Sequence, residues 1–131
     1  MSKMARQIRQ CMSDLAEAGG GSLTARFLFP PEFIGFLGHF PERPVLPAVC
    51  KIQAAVAMLE AAKRRRVRLD EIVLAKFSAP VTCDEEVEFL CTTVMGDTNS
   101  AVVKATVSKN GENVSKFKLR VTLEREEPGQ S

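Results

Sequence analysis

The run from Ala48 to Ala62 constrains this chain most. Only Lys51, Gln53 and Glu60 interrupt its apolar side chains. Its length and its alanines (48, 54, 55, 57, 61 and 62) predict a helix, with Pro47 suited to its first position. A helix that is apolar around its whole circumference has to be enclosed by protein, and alanines let the enclosing elements approach its backbone closely. The three polar residues make the stretch from Val45 to Ala62 a poor membrane span. Lys63, Arg64, Arg65 and Arg66 follow, where positive charge complements the negative end of the helix dipole.

The enclosing elements are predicted to be strands. Ser22 to Phe29 alternates, with Leu23, Ala25, Phe27 and Phe29 on one face. Ile72 to Phe77, Val87 to Met95, Ala101 to Ser108 and Val114 to Glu124 are four more candidates. Gly96-Asp97 and Asn110-Gly111 mark hairpin turns, so the strands are expected to run antiparallel. The simplest packing is an α+β hotdog fold: a five- to six-stranded antiparallel sheet wrapped around one long central helix. Met4, Ile8, Cys11, Met12 and Leu15 form an apolar stripe that predicts an additional N-terminal amphipathic helix over residues 1–19, stopped by Gly19, Gly20 and Gly21. The hotdog domain is then expected over 20–125, with a flexible tail over 126–131.

With 131 residues the chain forms one modest core, and a ligand tunnel is more easily built between two copies than within one. A net charge of +2 points to no particular partner. Residues 1–19 lack the apolar core of a secretory signal, so a cytoplasmic location is expected. Cys11, Cys50, Cys83 and Cys91 have no C-x-x-C spacing, and His39 is the sole histidine. Reduced thiols are expected, with no metal site and no cofactor. Cys50 lies near a helix start, where a thiol pKa can fall, but its apolar neighbours favour a small buried hydrophobe. Neither Tyr nor Trp occurs and no nucleic-acid motif accompanies the basic run, so no nucleic-acid partner is expected.

The segment from Gly38 to Gln53 carries the chemistry. His39 sits in a loop stiffened by Pro41, Pro44 and Pro47, eight residues before the predicted helix. The helix start offers free N–H groups at Ala48 and Val49, with the positive end of the dipole behind them. A base beside fixed N–H donors suits removal of a proton next to a carbonyl, because the donors hold the charge that grows on oxygen. Spacing alone fits a polar filler histidine at least as well.

His39, Phe40, Pro41, Pro44, Pro47 and Val49 resemble, in order and spacing, the H-F-P-G-x-P-x-x-P-G-V signature of bacterial 3-hydroxyacyl-acyl-carrier-protein dehydratases. Ala75-Lys76-Phe77-Ser78-Ala79-Pro80-Val81 is similar to that family's strand after the helix. The resemblance covers about Gly20 to Glu124. It implies a homodimeric lyase that converts a 3-hydroxyacyl thioester, on acyl carrier protein or CoA, to a trans-2-enoyl thioester, a step found in fatty-acid, lipid and polyketide pathways. It further implies that His39 is the general base and that the Val45 carbonyl orients its ring. The Ala48 and Val49 N–H groups would polarise the thioester, Phe40 and Pro47 would line the substrate path, and each site would join one subunit's histidine to the other's helix.

The sequence departs from that pattern at defined places. The family's helix acid falls at Gln53, which hydrogen-bonds but does not ionise. Glu42 and Ala48 replace glycines, and Thr82-Cys83-Asp84-Glu85 replaces a proline-glycine-aspartate turn. Gln53 therefore leaves open a catalytically weak or inactive acyl-binding module or non-catalytic subunit, and an acyl thioesterase is a further alternative. Lys63, Arg64, Arg65 and Arg66 are either a solvated helix end or a dock for an acidic carrier protein.

Overall fold

The computed structural model describes residues 2–37 and 44–124. Helix α1 (Lys3–Cys11) is followed by strands β1 (Met12–Glu17) and β2 (Ser22–Leu28), a 3-10 turn (Ile34–Phe36), the long helix α2 (Ala48–Lys63), and strands β3 (Val67–Phe77), β4 (Glu86–Gly96), β5 (Ser100–Lys109) and β6 (Glu112–Leu123). The strands form one sheet in the order β1-β2-β4-β5-β6-β3, antiparallel at every pairing. This is the expected α+β hotdog arrangement, with six strands.

The period-two pattern decides which face holds the helix. Leu23, Ala25 and Phe27 of β2 are buried, as are Val87, Phe89 and Cys91 of β4. Ala101, Val103, Ala105 and Val107 of β5 and Phe117, Leu119 and Val121 of β6 continue that face. Against it α2 buries Cys50, Lys51, Ile52, Ala54, Ala55, Ala57, Met58 and Leu59. Phe27 packs on Phe29 and Phe89 at ring-centroid distances of 5.8 and 4.8 Å. Each such ring contributes about 1.5–3 kcal/mol by leaving water. α2 is not enclosed on every side, however: Val49 and Gln53 are exposed and Val56 and Glu60 half-buried, a stripe at i, i+4, i+7 and i+11.

Both turn signals form turns. Asp97 accepts hydrogen bonds from the Asn99 and Ser100 N–H groups between β4 and β5, and Asn110 and Gly111 take positive φ between β5 and β6. Leu46 N–H donates to the Val81 carbonyl at 2.7 Å, and Val45 pairs opposite Thr82, which anchors the chain as it enters α2.

The N-terminal segment corrects one expectation. The predicted helix stops at Cys11, and Met12 to Glu17 joins the sheet beside β2, with Met12 opposite Phe27 and Glu17 opposite Leu23. Gly19, Gly20 and Gly21 all have positive φ and form the β1–β2 turn, closed by Ser22 N–H donating to the Gly19 carbonyl at 3.0 Å. The spacing of Met12 and Leu15 fits either element, but the free edge of β2 offers backbone partners that a last helical turn would lack. β3 also starts earlier than predicted, at Val67 rather than Ile72. Its polar first half pairs with β6, Val67 opposite Leu123 and Arg68 opposite Thr122, and adds an Asp70–Thr122 side-chain contact that alternation does not register.

Candidate functional site

α2 begins without a side-chain cap: Pro47 precedes it and supplies none. The Cys50 and Lys51 N–H groups donate to the Pro47 carbonyl at 3.0 and 3.4 Å, whereas those of Ala48 and Val49 meet no backbone acceptor among the described residues. This open first turn is the electropositive end of a 16-residue helix. Beside it lies an open cleft of about 300 Å³ lined by Val45, Leu46, Ala48, Lys51 and the Phe77–Pro80 segment.

The structure thus brings Val45 and Ala48 to one cleft and places Pro47 just before the helix. Val49 and Gln53, one turn apart, share the exposed face of α2. His39 and Phe40 lie outside the described residues.

The basic run divides. Arg65 is bound to the ends of the sheet: its guanidinium donates to the carbonyls of Thr98, Leu123 and Glu124 at 2.8–2.9 Å, and to Asn99 Oδ1 at 3.3 Å. Four of its five N–H donors are occupied in this way, which gives Arg65 a structural role. Lys63, Arg64 and Arg66 are exposed. Arg64 ends α2 in the left-handed region, at φ 56° and ψ 40°, with its N–H on the Glu60 carbonyl.

The cysteines are all free thiols. Burial pushes the Cys50 thiol up to about 11 and that of Cys91 up to about 12, against the activation that a helix start can give. Both are packed on methionine sulfurs, Cys50 on Met4 at 3.9 Å and Cys91 on Met58 at 3.8 Å.

Lys51 is the residue that reading the sequence for catalysis missed. Only 3% of it is exposed. Its ammonium donates to Ser115 Oγ at 3.2 Å and lies 5.1 Å from the centre of the Phe77 ring. Burial, and then the nearby Lys109 charge, lower its pKa. Phase puts Lys51 on the opposite side of the helix from Val49 and Gln53, two positions away in each direction, but only packing shows which of the two sides faces inward.

No helix among the described residues is long and apolar enough to cross a membrane. No curated protein matches the chain. Among solved structures, it is similar to the dehydratase heterocomplex ApeI:P from Xenorhabdus doucetiae (15% identity, TM-score 0.69, covering 85% of this chain and 96% of that one). It is similar to an HP0420 homologue from Helicobacter felis (18%, 0.67, 91% and 82%) and to a hypothetical thioesterase with coenzyme A from Streptococcus pneumoniae (8%, 0.64, 85% and 84%). At these identities the likeness is one of fold. A family model described as ApeI dehydratase matches residues 16–118, from the end of β1 well into β6, and the chain therefore belongs to the ApeI-like dehydratase family.

Proposed function

We propose that this protein removes water from a 3-hydroxyacyl thioester, carried on acyl carrier protein or CoA, to give a trans-2-enoyl thioester, with its sites completed across a homodimer. The observation that carries this reading is the uncapped first turn of α2 beside an apolar cleft, in a chain of a dehydratase family.

The chemistry follows from the groups. The Ala48 and Val49 N–H groups donate to the thioester oxygen and stabilise the charge that develops there. His39 takes the proton from C2, the C2–C3 double bond forms, and the C3–O bond breaks. The departing hydroxyl receives a proton from the His39 imidazolium, leaving water and a neutral imidazole. Gln53 has no acid proton to give, so both proton transfers fall to His39. Val45 and Leu46 line the cleft for the acyl part, with Phe40 and Pro47 along its approach, and Lys63, Arg64 and Arg66 meet the acidic carrier.

The homodimer is supported by what one chain leaves uncovered. Among the described residues β3 pairs only with β6, and Leu69, Ile72, Val73, Leu74 and Phe77 are exposed along it. An apolar sheet edge together with an open helix stripe is a surface that a second copy covers by pairing β3 with β3.

Turnover of 3-hydroxyacyl thioesters of graded chain length tests the reading. Dehydration is expected in the wild type and a loss of about 100-fold or more in His39→Ala. A wild type that converts no carrier- or CoA-bound substrate overturns it. A second reading, an acyl-binding subunit without chemistry, is favoured by the amide at position 53. Under it the wild type is inert and Gln53→Glu gains turnover.

A further inference from the structure

The cleft beside α2 has a floor that the dehydration chemistry does not use. Lys51 is a buried residue that lines it, and its Nζ is bonded to one neutral hydroxyl, Ser115 Oγ, on a buried residue behind the lining. Among the described residues no carboxylate forms an ion pair with it, and the charge that most affects it is another cation, Lys109. A buried ammonium has three donors and loses most of its hydration. One neutral hydrogen bond and the face of Phe77 recover only part of that loss. The rest of the lining is apolar apart from Ser78: Val45, Leu46, Ala48, Phe77, Ala79 and Pro80. A cation at the end of an apolar cleft matches a molecule of the reverse kind, an anionic head on a hydrocarbon stem.

We propose that this cleft is a carboxylate site. It takes a small organic acid, free or as the far end of an acyl thioester, with the carboxylate against Lys51 Nζ and the stem along Phe77, Leu46 and Pro80. Ser115 Oγ accepts from the ammonium and so holds it in place for the carboxylate. The site goes beyond the dehydratase reading and does not need it, because binding alone reports on it.

Two matched pairs test the proposal by calorimetry on the full chain at pH 7: hexanoate against hexanol, and glutaryl-CoA against pentanoyl-CoA. The charged member of at least one pair is expected to bind about tenfold tighter or more. Preference in the first pair identifies the free acid as the source, and preference in the second the thioester. Lys51→Met is expected to reduce the preference to within about twofold, and Lys51→Arg to keep most of it. Equal binding within both wild-type pairs, or a preference that survives in Lys51→Met, overturns the proposal. Should Lys51→Met fail to fold by circular dichroism, the wild-type pairs together with Ser115→Ala, expected to weaken the charged member selectively, decide it.

Discussion

Cys50 stands one residue before Lys51 on the same helix, yet the two side chains meet burial with different consequences. A thiol buried among apolar neighbours stays protonated and is inert, whereas an ammonium keeps its need for a partner. The raised thiols of Cys50 and Cys91 give a direct expectation. In the native protein at pH 8 neither is labelled by a disulfide-exchange reagent, because the thiolate is the reacting species, and both become reactive on unfolding. Labelling followed by peptide mass analysis checks this, and fast native modification of Cys91 would contradict the packing described. Lys51 shows how much of a site depends on helix phase. Its identity was plain in the sequence, but a lysine in an apolar run looks like a flaw in a membrane span until the helix direction shows that it points inward.

At the scale of elements, α2 is held at both ends by different means. Its start is left open, with the Leu46–Val81 backbone bond and the Val45–Thr82 pairing fixing the approach. Its end is tied to the β4–β5 turn and the last residues of β6 by the Arg65 guanidinium. Arg65→Ala is therefore expected to lower stability by about 1–3 kcal/mol, since it leaves several carbonyls without their donor. Arg66→Ala, an exposed neighbour, is expected to stay within about 0.5 kcal/mol. Urea denaturation of the two variants separates a structural arginine from a solvated one. Equal effects would show that the basic run acts as a single charged patch.

For the whole molecule, the sheet has two ends of unlike character. β1 closes one end with short length and polar residues, including Ser13, Asp14 and Glu17. β3 presents 11 residues with a free edge and Leu74 58% exposed. Long apolar edges invite pairing, and a lysine on such an edge blocks it. Leu74→Lys is expected to convert a dimer to a monomer in sedimentation velocity while far-UV circular dichroism keeps the sheet signal. If the dehydratase site is shared between subunits, turnover falls with it. A wild type that sediments as a monomer at high concentration would remove the shared-site arrangement.

The sequence by itself determined the buried helix, because no other structure accommodates the run from Ala48 to Ala62 in water. It also determined the antiparallel strands β2, β4, β5 and β6, whose alternation leaves only one face for the core, and the two hairpin turns. Tertiary structure decided what lies between equal local choices. Met12 to Glu17 became a strand because the edge of β2 was free, and Val67 to Glu71 extended β3 through pairing with β6 rather than through hydrophobicity. Tertiary structure also decided which side of α2 meets the sheet. Positions 49, 51 and 53 are near neighbours along the chain, but packing sends Lys51 into the protein and leaves Val49 and Gln53 outside. A helix that is apolar all round does not reveal its inner face until the elements around it are in place.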